Sequence, residues 1–477
     1  MRGERMTPLD ATFLLIEDAE PNSSLAIASI GAFAGPAPSL EEFRDHLLGR
    51  LPLIPRYRQK VRHVPLDLAA PVWVDDPSFD IDHHLVRTAL PSPGGDTQLR
   101  ALMGRVMAAR LDRDRPLWQN WLVEGLEGDR WALISKVHHC MVDGISATDL
   151  YQAVLDPTPV PRPPAPDRWH PDTEPSTARI TLDAVTDLAL LPARQTRALA
   201  GVLAHPSGWP TRLAAAGRGS ATLAAGMRPA QRSSLTGALA RPRHYDWATA
   251  STDTVRTIRH ALGGTFNDVI LAAITGGFRA LLLSRGEEPT PTVIRTLVPV
   301  SLRAPGQESV RDNQVSLLLA RLPVHLDDPL DRLEAVRTEL SSLKHSGEAA
   351  TGAMLTSLAR YQPYPLVAAP LRAALHTPQR AVVTVTTNVP GPRKPLYALG
   401  RELLELVPYV PIAITLRIGV SIFSYRDQVT FGLTGDESAE DLQVLRNGIE
   451  DDLRALRQRA RKAQAGRSGP ARSGDRR

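Results

Sequence analysis

The residues best suited to chemistry stand together at His138-His139-Cys140-Met141-Val142-Asp143-Gly144. They follow Trp131–Val137, a largely apolar stretch that reads as a buried strand. Side chains alternate across a strand, so His138 and His139 are expected to point in opposite directions. That arrangement is poor for a shared metal and good for dividing labour, one imidazole facing a cavity and the other held in the structure. Asp143, four positions after His139, can pin the loop by pairing with an arginine elsewhere. Gly144 allows a backbone turn that other residues resist. Other readings of the segment are a hydrogen-bonded core histidine pair, a zinc site and a Cys140 nucleophile. The zinc reading lacks a third ligand at sensible spacing, and the histidines beside Cys140 point elsewhere.

The sequence holds no Walker A loop, no G-x-G-x-x-G, no H-E-x-x-H and no G-x-S-x-G. Phosphoryl transfer, dinucleotide chemistry, zinc proteolysis and α/β-hydrolase chemistry therefore lose their usual signatures. What remains is a histidine acting as general base on a substrate that is already activated.

The elements that must position this loop are legible on either side of it. Trp121–Gly125, a Gly128-Asp129 turn and Trp131–Val137 predict a hairpin. Ile145–Leu155 has helical spacing and ends before Pro157. Eight prolines in the nineteen residues from Pro157 to Pro175 predict an extended linker. Farther on, Thr254–His260 and Phe266–Ser284 predict helices, with Asn267 and Asp268 near the start of the second. Val293–Val300, Ser316–Leu322 and Ala381–Thr387 predict strands, the last rich in β-branched residues. Ile418–Tyr425, an Arg426-Asp427 turn, Val429–Leu433 and a helix from Ala439 to Leu456 repeat the strand–turn–strand–loop–helix order of residues 121–155. Two related α/β halves are expected, with the histidine loop in the first only.

Composition bounds the rest. The 477 residues are 43% hydrophobic and 22% charged, ordinary for a folded protein. A single cysteine, Cys140, excludes an intrachain disulfide and points to a reducing compartment. No apolar run reaches the roughly 20 residues of a membrane span. Glu17 and Asp18 interrupt the Ala11–Ile16 stretch, which argues against a signal peptide. The net charge is +5, but Arg454–Arg477 carries nine Lys or Arg against Asp475, a net of +8 that leaves −3 for the remainder. The basicity is a tail and not a domain face, and no aromatic-basic interleaving suggests a nucleic-acid partner. Residues 188–245 hold eight arginines and no acid. Their apolar residues recur at helical intervals, as in a helix that lies on a membrane surface or covers a neighbouring domain.

His138–Gly144 resembles the HHxxxDG motif of acyltransferases related to chloramphenicol acetyltransferase. Further landmarks resemble the bacterial wax ester synthase/acyl-CoA:diacylglycerol acyltransferase family. They are Thr7-Pro8-Leu9-Asp10-Ala11-Thr12-Phe13, Pro116-Leu117-Trp118, Asn267-Asp268, Val298-Pro299-Val300-Ser301-Leu302-Arg303, Asn388-Val389-Pro390-Gly391-Pro392 and Ser424-Tyr425. They span nearly the whole chain in the family's order. One departure is Asn22-Ser23-Ser24-Leu25, where the family often has a Met-His pair, and it bears on substrate preference.

The resemblance implies an α/β fold of mixed sheets, two chloramphenicol acetyltransferase-like domains with a tunnel at their interface. The expected division is 1–156, carrying HHxxxDG; 157–245, a Pro-rich crossover with basic amphipathic helices; 246–456, the second acyltransferase-like domain; and 457–477, a basic flexible tail. It implies transfer of a long acyl chain from acyl-CoA to diacylglycerol or a fatty alcohol, with His139 as general base. His138, Asp143 and Gly144 would support the motif, and Arg303 would pair with Asp143. Asn267 would serve an oxyanion hole, or Asn267 and Asp268 a helix cap. No metal or cofactor is expected, since the acyl-CoA thioester is itself activated. The implied partners are acyl-CoA, a hydrophobic alcohol and a peripheral lipid surface, in a cytoplasmic protein at membranes or lipid inclusions. A smaller or natural-product alcohol, or a non-catalytic lipid-surface protein, are the other readings of the same fold.

Overall fold

The computed structural model of the chain describes residues 4–142, 147–203, 231–301, 315–345, 362–375, 379 and 381–467. Among these residues, two six-stranded sheets and a small three-stranded sheet carry the fold. From edge to edge the first sheet runs Tyr397–Ala398, Arg401–Tyr409, Ala26–Ala34, Arg130–His138, Trp118–Leu126 and Leu85–Ala89. The histidine strand, Arg130–His138, is interior and pairs antiparallel with both neighbours. Most of its residues on both faces are buried, which is why it reads as an apolar run and not as an alternation. Leu85–Ala89 runs parallel to Trp118–Leu126, so the sheet is mixed, as expected.

The second sheet runs Val315–Arg321, Arg295–Ser301, Thr384–Pro390, Ile418–Tyr425, Gln428–Asp436 and Arg243–Ser251. It too is mixed, because Thr384–Pro390 is parallel to the strands on either side. Both expected hairpins form, with Asp129 and Arg426 in the left-handed region at their turns (φ 50° and 54°). Each is followed by a helix, Ala147–Val154 and Leu442–Arg467.

The helix Phe266–Ser284 is long and apolar enough to cross a membrane by composition, contrary to the expectation that no such run exists. Most of it is buried in the second core, which explains apolar residues on every side of it. It crosses Leu442–Arg467 at small residues. A Cβ on Gly277 would lie 2.7 Å from the Leu445 carbonyl oxygen, so only glycine permits this approach.

The division of the chain at 246 does not follow the sheets. Residues 397–409, late in the sequence, supply two strands to the first sheet, Arg401–Tyr409 pairing with Ala26–Ala34. Their end is tied back to the second sheet, where the Tyr245 and Ser421 hydroxyls both donate to the Pro408 carbonyl. The proline-rich stretch is likewise no free linker. Arg50 donates to the Pro163 carbonyl and to Asp156, a pair with side chains 3% and 0% exposed. Arg58 binds Asp167 with two nitrogens and lies 4.8 Å from the Trp169 ring centre. Lys60 and Arg62 hold Glu174. Pro lacks an N–H for a ladder, and side-chain ion pairs do the fastening instead.

The helix Thr177–Leu203 covers the small sheet with Ile180 and Ala184, while Leu182, Val185, Leu188 and Leu190 stay exposed. Arg241 and Arg243 of the arginine-rich stretch are used internally, donating to the Pro21 and Asn22 carbonyls; residues 204–230 lie outside the described residues. The expected tail from 457 is also revised. Residues 457–467 continue the last helix, with Ala460 buried and Arg459 paired to Asp328. Residues 468–477 lie outside the described residues.

Candidate active site

The histidine strand ends between two neighbours that fix its backbone. The His138 N–H donates to the Leu117 carbonyl at 2.9 Å, and the His139 N–H to the Leu25 carbonyl at 3.0 Å. Pro116-Leu117-Trp118 thus lies alongside the motif. Leu117 and Trp118 are core residues, the Trp118 indole donating to the Tyr57 carbonyl and stacking on His84. At His139 the chain turns into a short 3₁₀ segment, His139–Met141.

The two imidazoles occupy different environments. His138 is 1% exposed. Its Nδ1 accepts the Cys140 N–H at 3.3 Å and contacts the Cys140 sulfur at 2.9 Å. With Nδ1 accepting, the proton sits on Nε2 and is donated to Glu17 Oε2 at 3.1 Å. Burial holds the His138 imidazole below its usual range, against the pull of Glu17. His139 is half-buried, and its ring stacks on Phe13 with centroids 3.9 Å apart.

Glu17 is the centre of this arrangement. Burial pushes its carboxyl up, but His138, Arg113 at 3.1 Å and the Leu25 N–H at 2.7 Å outweigh that and hold it at about 2. Lys136, two residues before His138 on the same side of the strand, is also buried. It donates to the Val106 and Ala109 carbonyls, where the helix Asp96–Ala108 ends. Burial brings its ammonium down to about 8, opposed by Glu17.

Cys140, His138 and Glu17 resemble the order of a nucleophile, a base and an orienting acid. Burial disables them. The thiol is 2% exposed and is pushed well above its usual range, so no thiolate forms. The trio locks His138 instead.

The helix start at 266 separates two residues that stood together in the sequence. Thr265 caps the helix and Asp268 completes a capping box, each side chain accepting the other's N–H. Asn267 takes another part, its Oδ1 accepting from Asn388 Nδ2 at 3.2 Å. Two landmarks 121 residues apart thereby meet. Asn388 and Pro390 lie on the strand Thr384–Pro390, which keeps the expected length but both starts and ends later than the expected Ala381–Thr387. Gly391 follows where the chain touches the next strand: its N–H donates to the Ser424 hydroxyl, and a Cβ would lie 2.1 Å from the Ser424 carbonyl oxygen. Phe423, Tyr425 and Val389 pack into the first core together with Cys140, Met141 and Val142, so the histidine loop borders the junction of the two halves. Asp143, Gly144 and Arg303 lie outside the described residues.

Glu17, Lys136 and Arg113 were not singled out from sequence, and Phe13 only as part of a landmark. The signal was present for two of them. Phe13 and Glu17 are four apart in an amphipathic helix, Pro8–Ala19, and so share a face.

The same fold is found in solved acyltransferases. A wax ester synthase/diacylglycerol acyltransferase from Marinobacter aquaeolei VT8 superposes with a TM-score of 0.65 at 25% identity, covering 96% of this chain and 99% of that one. The trichothecene 15-O-acetyltransferase of Fusarium sporotrichioides shares the fold at 13% identity and a TM-score of 0.60, covering 95% of each chain. Two six-stranded mixed sheets and a paired-histidine loop after an interior strand, together with these likenesses, define an acyltransferase of the chloramphenicol acetyltransferase-like class. Residues 6–270 match the wax ester synthase/diacylglycerol acyltransferase catalytic domain, and residues 312–457 the C-terminal domain of that family. A putative diacylglycerol O-acyltransferase of Mycobacterium bovis is 40% identical over 458 residues, 94% of this chain and 95% of the relative. A probable diacylglycerol O-acyltransferase of Mycobacterium tuberculosis matches equally well over the same share of both chains. The chain belongs to the wax ester synthase/diacylglycerol acyltransferase family and is an O-acyltransferase.

Proposed function

We propose that the protein moves a long acyl chain from acyl-CoA to the hydroxyl of diacylglycerol or a fatty alcohol, with His139 as general base. The observation that carries the mechanism is the division of the histidine pair. His138 is committed to Glu17 and Cys140 in the core, while His139 stands half-buried at the strand end. The neutral His139 imidazole takes the proton of the acceptor hydroxyl as its oxygen attacks the thioester carbonyl. Collapse of the tetrahedral intermediate breaks the C–S bond, and the imidazolium returns its proton to the CoA thiolate. The ester and free CoA are the products, and no external cofactor takes part. Asn267 is the proposed oxyanion donor, because Asn388 engages its Oδ1 and leaves its Nδ2–H groups for another acceptor.

Release of free CoA, read with a thiol-reactive dye across a panel of alcohols, tests this reading. The buried Cys140 keeps the protein's own background low. His139→Ala should lower turnover by roughly 10²–10⁴-fold while the fold is kept. Near-normal turnover in the folded variant would refute the mechanism.

The protein is further proposed to work peripherally at a cytoplasmic membrane or lipid-inclusion surface. The poor solubility of the acceptors supports this, as do the exposed Leu182, Val185, Leu188 and Leu190 on one helix whose later part carries arginines and no acid. Flotation with anionic and neutral vesicles at two salt concentrations tests it. Recovery should be higher with anionic vesicles at low salt, with an apolar remainder at high salt.

A further inference from the structure

We propose that Phe13 is a positioning residue for His139, an inference that rests on His139 being the base. The two rings lie nearly flat against one another, tilted by 22° with centroids 3.9 Å apart. A stack of this kind covers one face of the imidazole and leaves its edge open. The lone pair that takes a proton lies in the ring plane, so the acceptor hydroxyl still reaches it.

The imidazole needs such a partner. The final torsion of a histidine is broad and roughly two-fold, so side-chain contacts and not the rotamer set the plane of the ring. The His139 backbone is fixed by the Leu25 carbonyl, which sets where the side chain starts and not how the ring is turned. A flat neighbour sets the ring plane.

The helix Pro8–Ala19 presents this neighbour with register built in. Phe13 and Glu17 are one turn apart on one face, Phe13 against His139 and Glu17 bonded to His138. The helix is itself held, with Ala11, Leu14 and Leu15 buried and Thr7 capping its start through the Asp10 N–H. One rigid element therefore orients both imidazoles, the buried one through a hydrogen bond and the reacting one through a stack.

The test uses the full chain with Phe13→Leu, Phe13→Met, Phe13→Tyr and His139→Ala, assayed for CoA release. Leu and Met fill space without a flat face and should lower kcat about ten- to a hundredfold, the scale of a misplaced catalytic group. KM for acyl-CoA should stay within about threefold, as a residue that acts by orienting His139 changes the chemical step and not acyl-CoA binding, and Tyr, which keeps the ring, should retain kcat to about the same degree. In the His139→Ala background Phe13→Leu should cost nothing further. Unchanged kcat in the Leu and Met variants, a loss confined to KM, Tyr as impaired as Leu, or an additive loss without His139 would each overturn the proposal. Should the Leu variant fail to fold, the Met variant decides. Near-normal turnover of His139→Ala would instead overturn the reading of His139 as base, so the two failures are distinguishable.

Discussion

Glu17→Gln offers the sharpest physical test of how the histidine pair is held. The substitution keeps shape and one carbonyl oxygen but removes the charge that faces Arg113, the Leu25 N–H and His138 Nε2–H. A carboxyl held at about 2, against an ordinary 4.5, binds its proton more weakly in the folded chain than in the unfolded one. Its stabilisation is therefore fully present above pH 4.5 and is lost as pH falls toward 2. The difference corresponds to about 3 kcal/mol at neutral pH. With His138 neutral, Arg113 and the backbone N–H carry much of it, so this figure is an upper bound. His138 adds a loss of the same sign, since burial holds its imidazole below the usual range and the unfolded chain takes up the proton first. Urea unfolding of the parent and Glu17→Gln should show a gap of up to about 3 kcal/mol at pH 7 that narrows progressively below pH 5. A gap of the same size at pH 7 and pH 3 would refute the account of Glu17 as a buried, charge-paired carboxylate.

Other outcomes follow from neighbouring contacts. Lys136, brought down to about 8 from 10.5, is harder to protonate when folded, so the parent should gain stability relative to Lys136→Met as pH rises from 8 to 10.5. A pH-independent difference in melting temperature would contradict this. Asp156→Ala leaves Arg50 buried without its carboxylate and should cost roughly 3–5 kcal/mol. Limited proteolysis should then cut within 157–175 sooner than in the parent; unchanged cutting would show that the ion pairs do not fasten that stretch.

The histidine loop, both hairpins, the long apolar helix and the family were legible in the sequence because each depends on local order. Periodicity reports which faces are apolar, turn residues mark reversals, and HHxxxDG is contiguous. Alternation along the strand predicted opposite directions for His138 and His139, but the strand ends at His138 and His139 opens a 3₁₀ turn, so both rings meet the same face of the helix Pro8–Ala19. What each ring meets there could not be read from the strand pattern. Glu17 stood in the sequence as an acid breaking an apolar stretch, the mark of a chain that is no signal peptide. Only when its helix packs beside the strand end does the same carboxylate meet His138, 121 residues on. Asn267 and Asp268 looked interchangeable as adjacent polar residues at a helix start. The capping geometry of Thr265 claims one, and a strand arriving from residue 388 claims the other. Proline content rightly excluded regular structure from 157–175 but said nothing of Arg50 and Arg58, which tie that stretch down. The lending of residues 397–409 to the first sheet is likewise invisible locally, since a strand's own pattern does not name its partner. The sequence determined the elements and the paired-histidine motif through short-range patterns. Tertiary packing decided the partners, because burial and charge pairing act between residues that only the fold brings within a few ångströms.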